Sequence, residues 1–476
     1  MKKNIIILSI LGLVLTSCGS DITSLNDDPK TALTATANNV FAGGVVGTAN
    51  QMNTSSMNSN QFRFFTQMLA DVQYLEGGAY KLRKRDLPDA QWDALYGQLQ
   101  NFETAKSAAQ AENIDAAVKS NKLAAIEIMQ IYCYQLLVDS FGDVPYSEAL
   151  RITEIRSPKY DDAKTIYVDL LKRLDIVIGK INTNAGAFGA DDFVYGGNMA
   201  NWKKFAAALK IKLGINLADV DPALSKSAVE SGYQLGTFAN ESESARIKYN
   251  SSGVYTSPAY RDLALSGRVD YCASDIYVAA LQKDNDPRIY SYYTKVNGAI
   301  KPGKFGVTNT SAAGTMSLIN PNVYTADSYG YFSDYVEIEF ILAEAAARGY
   351  AVGADAATHF KNALSASLDL WGISGADKDA YLMANDYNSL SGTYKEKIGI
   401  QAWHSMYNRG FEAWTFSRRL DFPMLETHNS ASDPLPTRLI YPVKEYSVNE
   451  TNMKAAVQKL PSKTDSQGDK VFWDKN

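Results

Sequence analysis

Residues 123–150 read LAAIEIMQIYCYQLLVDSFGDVPYSEAL. Leu123, Ile126, Met129, Cys133, Leu136 and Leu137 recur every three to four residues, and Ile128 and Ile131 fill the opposite side. A helix that is apolar nearly all round has to lie inside a larger helical body, since a surface helix would keep one polar face. The same stretch marks where that helix stops. Gly142 suits the position just past a helix end, and Pro145 drives Val144 out of the α region, so an extended turn should follow.

Outward from this segment the helical period recurs. Over Asp162 to Lys180, Ile166, Leu170, Leu174, Val177 and Ile178 form one stripe and charged residues fill the rest, the pattern of a helix lying on a neighbour. Similar spacing runs from Trp202 to Leu217, Tyr335 to Arg348, Ala356 to Leu370 and Glu396 to Arg419, while alternating strand patterns are scarce. Ala163 with Tyr167 and Ala356 with Phe360 form a small-residue-to-ring step that resembles the second helix of a tetratricopeptide repeat, although the first-helix signature is absent. The expected fold is therefore all-α, with tetratricopeptide-like helix pairs forming a scaffold. Residues 52–88 and 218–333 break the period with Gly, Ser, Asn, Tyr and Pro. These loop-rich insertions predict an irregular second face of short helices and hairpins, because a structureless loop of such length does not belong in a compact protein.

Composition narrows the class of function. The chain has 476 residues, 46% of them hydrophobic and 21% charged, with a formal charge of −5 that supplies no basic field for nucleic acid. Tyrosine is in excess: 29 Tyr outnumber 18 Phe and 6 Trp together. Tyrosine serves cores and wet binding surfaces alike, with an apolar face and a polar tip.

At the N-terminus, Lys2 and Lys3 precede an apolar run from Ile5 to Leu15, too short to span a bilayer and suited to an export signal. Leu15-Thr16-Ser17-Cys18 resembles the bacterial lipobox, which implies a signal peptide over residues 1–17, cleavage before Cys18, and lipid chains such as palmitate on that cysteine. Residues 18–30 read as the lipidated tether, with Asn26 to Pro29 as its closing turn, and residues 31–476 as a single domain carrying the two insertions. An exported protein can oxidise Cys133 and Cys272, but their apolar surroundings predict two buried free thiols.

No catalytic constellation stands out, and the expectation is a protein that is not an enzyme. His359, His404 and His428 occur singly, without metal-ligand spacing; His359 is expected on a helix surface and His404 at a helix boundary. Asp284-Asn285-Asp286 reads as a turn, lacking the glycine and spacing of a calcium loop. Gly43-Gly44-Val45-Val46-Gly47 reads as close packing or flexibility, not as a phosphate loop. No cofactor and no metal is expected.

Four stretches together resemble the SusD/RagB family of Bacteroidetes outer-membrane lipoproteins: Leu25-Asn26-Asp27-Asp28-Pro29, Asp139 to Leu150, Ile341 to Gly349, and Gly410 to Trp414 with Arg418, Arg419, Pro423 and Pro436 to Pro442. Each also has a structural account. Glu344 and Arg348 pair across a helical turn, Arg418 and Arg419 suit a helix C-terminus, and Trp403, Tyr407, Gly410 and Trp414 read as core packing. The resemblance implies an outer-membrane, lipid-anchored and surface-exposed protein that captures a glycan, or a peptide, for a SusC-like TonB-dependent transporter. A surface glycosidase or peptidase and a protein-binding helical scaffold are the alternatives.

Capturing a sugar without chemistry takes exposed rings beside hydrogen-bonding groups. The insertions supply Tyr74, Tyr80, Arg83, Arg85 and Trp92 on one side, and Tyr290, Tyr292, Tyr293, Lys295, Tyr324, Tyr329 and Tyr331 on the other. Tyr74, Tyr80, Arg85, Trp92 and Tyr292 are the expected ligand residues, exposed around one concave face and stacking an uncharged ligand.

Overall fold

The computed structural model describes residues 36–253, 255–310, 312–427 and 433–475. The signal, Cys18, the tether and His428 lie outside the described residues. The unit from Ala37 onward is compact. Its principal helices are α1 (Ala37–Asn53), α2 (Leu87–Ala111), α3 (Ala116–Phe141), α4 (Ala163–Lys180), α5 (Met199–Asn216), α6 (Pro222–Gln234), α7 (Tyr335–Ala347), α8 (Ala356–Leu370), α9 (Tyr394–Ser405) and α10 (Gly410–Leu420). Helices adjacent in sequence are neighbours in space along the runs α1 to α4 and α5 to α6, and again for α7 with α8. The chain is all-α, and among the described residues the strands form three two-stranded antiparallel ribbons.

Local signals start these helices where the period begins. Asp115, Asp162, Asn198, Asp221, Asp334 and Asp355 each accept hydrogen bonds from backbone N–H groups in the first turn of the helix that follows. Such caps satisfy donors that the helix itself cannot. On α1 the glycines serve close approach: a Cβ at Gly44 would lie 2.6 Å from Phe102, and one at Gly47 would lie 2.5 Å from Gln98 of α2.

α3 is the buried centre, and its C-terminal end meets the most distant parts of the chain. The carbonyl of Asp139 accepts from Arg418 Nη1 at 2.8 Å, that of Ser140 from Leu439 N at 2.7 Å, and that of Phe141 from Arg438 Nη2 at 3.1 Å. The Asp139 carboxylate accepts from Tyr167 Oη and Trp473 Nε1. A helix end has no intrahelical donors for its last carbonyls, and here these residues are buried, so two side chains and one backbone N–H from the C-terminal region take that role. Glu344 is likewise buried, paired at 3.0 Å with both Arg348 and Arg419.

The structure departs from expectation in three places. The run Glu396 to Arg419 is two helices, broken at Met406 to Arg409, where the buried Arg409 guanidinium pairs with Asp334 at 2.5 Å and Glu337 at 3.0 Å. Gly410 then starts α10 against the backbone of Arg63, leaving no room for a side chain. His359 is buried, not on a surface, because it bridges α8 to α7 through Glu339 at 2.8 Å and reaches the Val352 carbonyl at 3.0 Å. α6 falls inside the segment expected to be irregular, its apolar Ala228 and Val229 buried against Gly214 of α5. His404 does close α9 and is fully buried; Cys133 and Cys272 are buried and unpaired.

Arg438→Met keeps the volume but removes every donor to the Phe141 carbonyl. Urea denaturation should show a loss on the order of 3 kcal/mol, and a loss below about 1 kcal/mol would contradict the role given to this guanidinium.

Candidate functional site

The two irregular insertions meet. β1 (Leu69–Asp71) pairs antiparallel with β2 (Tyr271–Ala273), Leu69 opposite Ala273 and Asp71 opposite Tyr271. Beyond the ribbon, Asp262 fastens the second insertion to the first: its Oδ2 accepts from Thr54 Oγ1 at 2.5 Å and Ser55 N at 2.8 Å. The Tyr271 hydroxyl donates to the Ser55 carbonyl, and Arg63 Nη2 donates to Ser55 Oγ at 2.7 Å.

A polar cavity of about 190 Å³ opens on this seam. Tyr74, Arg85 and Asn58 come from the first insertion, and Arg261, Arg268 and Asp270 from the second. Tyr74 is 41% exposed, with the Arg85 guanidinium 4.7 Å and the Arg268 guanidinium 5.8 Å from its ring centroid. Arg85 also donates to Asn58 Oδ1 at 3.3 Å and pairs with Glu76 at 3.4 Å, and Arg268 pairs with Asp270 at 2.9 Å. A smaller lobe is lined by Thr54 and Ser55 together with Tyr324 and Tyr329. Tyr329 is 40% exposed, with Arg246 4.0 Å and Lys248 Nζ 4.6 Å from its centroid.

Of the five expected ligand residues, the structure brings together two, Tyr74 and Arg85. Tyr80, Trp92 and Tyr292 are buried and present no face to a ligand. Tyr80 accepts from Gln67 at 2.9 Å inside the core, where burial pushes its hydroxyl up to about 12. Trp92 lies within α2 with its ring 4.8 Å from Tyr96 and 5.1 Å from Phe141. Tyr292 stacks on Tyr407 at 4.3 Å and donates to the His404 carbonyl at 2.7 Å. Tyr293 and Tyr331 are also buried. Tyr290 is exposed beneath Lys295 but lines neither lobe. Sequence reasoning missed Arg261 and Arg268, which carry no motif; their only signal is position within the second insertion.

One buried carboxylate sets the shape of the Tyr74 loop. Asp71 Oδ2 accepts from Gly78 N at 2.8 Å, and a Cβ on Gly78 would fall 2.6 Å from that oxygen, so the turn behind Tyr74 requires glycine. Asp71 Oδ1 has no hydrogen-bond partner among the described residues. Burial, reinforced by the nearby charge of Glu76, pushes the Asp71 carboxyl up to about 7.

A larger cavity of about 630 Å³ lies between α2, α3 and α4, but no aromatic residue lines it. Asp284 to Asp286 is a turn in which Asp286 forms a buried pair with Arg288 at 2.6 Å. No group of His, Cys, Asp and Glu among the described residues is arranged to hold a metal ion, and no described helix is long and apolar enough to cross a membrane.

Comparison with known proteins gives one family match and many structural ones. Residues 29–442 match the SusD-like family described as "Starch-binding associating with outer membrane". A solved chitin-binding protein is 27% identical, with a TM-score of 0.80 over 92% of this chain and 100% of that one. A chitin-binding SusD homologue from Flavobacterium johnsoniae is 22% identical, with a TM-score of 0.75 over 92% of this chain and 99% of that one. A SusD-like protein from Bacteroides thetaiotaomicron is 20% identical, with a TM-score of 0.74 over 92% and 99%. A search of curated proteins returns no match.

The carboxyl of Asp71 makes folding pH-dependent. Below about pH 4 it is protonated in both states. Between about 4 and 7 the unfolded chain releases the proton while the folded chain keeps it, so the contribution of this group to stability falls across that window and is flat above it. Asp71→Asn, a neutral isostere, should remove up to about 4 kcal/mol of this decline in denaturation curves taken from pH 4 to 8. An equal loss at every pH would contradict the assignment.

Proposed function

The chain belongs to the SusD-like family, and on that premise we propose that it captures a glycan at the cell surface and delivers it to a SusC-like TonB-dependent transporter. In this reading Cys18 carries the lipid that holds the protein to the outer membrane, and the all-α scaffold presents the seam of the two insertions outward. The carrying observation is the cavity around Tyr74: a partly exposed ring flanked by guanidinium and amide donors, held on two mutually fastened loops. A ring face takes the apolar face of a sugar, and the donors beside it take hydroxyls, which is binding without chemistry. The chitin-binding relative at 27% identity supports a glycan as the ligand class.

The rigidity of the site supports the same reading. Loops that order only on binding lose affinity to the ordering, whereas preformed ones do not. The Asp262 clamp and the Asp71 anchor hold both loops in place without a ligand.

A glycan and peptide array on the chain from Ser20 onward, with pull-down of the transporter, tests the proposal. Tyr74→Ala should weaken the bound glycan about tenfold, roughly 1.4 kcal/mol, by calorimetry. Tyr290→Ala should leave affinity unchanged. Product release by the purified chain alone, or peptide binding with no glycan binding, would overturn the reading. In cells, Cys18→Ala should move the protein out of the membrane fraction; retention there would contradict the anchor.

A further inference from the structure

The ions around the Tyr74 cavity do not balance one for one. Glu76 is taken by Lys84 at 2.8 Å and Arg85 at 3.4 Å. Asp270 is taken by Arg268 in a two-pronged pair at 2.9 and 3.1 Å. Asp262 is taken by Thr54 and Ser55. Every carboxylate at the cavity thus has its partner. The Arg261 guanidinium, which also lines the cavity and is solvent-exposed, forms no ion pair among the described residues.

Arg261 is also held in place. It opens a π-helical turn, Arg261–Leu265, of a kind that recurs at functional sites. Its neighbour Asp262 nails that turn to Thr54 and Ser55, so the base of the Arg261 side chain is fixed relative to Tyr74 and Asn58 across the seam. A guanidinium is a planar fork of donors with no acceptor, and its best complement is a planar or tetrahedral anion with paired oxygens. A neutral sugar presents hydroxyls, which ask for a mixture of donors and acceptors. Here the three acceptor carboxylates are already occupied, while donors remain.

Resting on the glycan-capture reading above, we propose that the ligand of this cavity is an acidic glycan, whose sugar units bear a carboxylate or a sulfate ester, and that Arg261 receives that anion while Tyr74 takes the sugar face. This reverses the expectation of an uncharged ligand and separates the chain from a binder of neutral chitin.

Calorimetry of the chain from Ser20 onward with matched pairs tests it. Oligogalacturonate against its methyl ester isolates the carboxylate. A carrageenan oligosaccharide against its own desulfated form isolates the sulfate, and chitohexaose and maltoheptaose are neutral references. At least one charged sugar should bind tenfold or more tightly than its neutral twin, and raising salt from 0.05 to 0.5 M should erode the preference, roughly as screening of exposed charges requires. Arg261→Gln should bring the pair to parity, Arg261→Lys should restore part of the preference, and Tyr74→Ala should weaken every sugar alike. Unchanged thermal unfolding of the Arg261 variants establishes that the fold is intact. Neutral sugars binding as well as charged ones, or a preference that survives Arg261→Gln, overturns the acidic-glycan proposal and leaves glycan capture standing. Failure of every sugar to bind overturns both.

Discussion

Three consecutive carbonyls at the end of the central helix belong to the buried residues Asp139, Ser140 and Phe141 and need donors. Arg418, the Leu439 N–H and Arg438 supply them from nearly 300 residues downstream. This requirement explains why the sequence stretches that carry the family resemblance lie where they do. The Asp-Ser-Phe-Gly-Asp segment is the set of acceptors, and the Arg418-Arg419 and Pro-Thr-Arg-Leu segments are the donors. An unpaired buried carbonyl costs about 1 to 3 kcal/mol, so losing one donor harms the junction more than its net contribution when intact would suggest. The two motifs are one structural device read in two places.

The same constraint recurs elsewhere in the molecule. Backbone carbonyls in loops, turns and helix ends face a dry interior, and tyrosine hydroxyls cap several of them. Tyr293 donates to Met68, Tyr292 to His404, Tyr441 to Asp143 and Tyr96 to Pro145. Much of the tyrosine excess is thus spent inside, where each ring fills volume and each hydroxyl satisfies a carbonyl. The result is a pair of long insertions stiff enough to present a preformed surface.

Much of the fold was legible in the sequence, and the site only in part. α4 and α8 lie almost where their stripes place them, because one face is apolar and an acidic cap precedes each. α1 was hidden by glycines whose purpose is close packing against α2, and the break before α10 by an arginine whose partners, Asp334 and Glu337, are distant in sequence. Tyr74 and Tyr80 stand six residues apart in one loop with similar neighbours, yet one is exposed and the other fully buried. Tertiary packing decides that difference, through the Asp71 anchor and the β1–β2 ribbon, and no local pattern encodes it. Arg261 was invisible for the same reason: its meaning comes from carboxylates that other residues already occupy.

In the proposed reading a glycan is held at the seam between the insertions, on loops that are already in place. Hydrogen exchange of the chain with and without a bound glycan tests this most directly. Added protection should be confined to residues 54–58, 72–85 and 261–271, with the helical scaffold unchanged. Protection centred on the cavity between α2, α3 and α4 instead, or an insertion that is unprotected until ligand arrives, would contradict it.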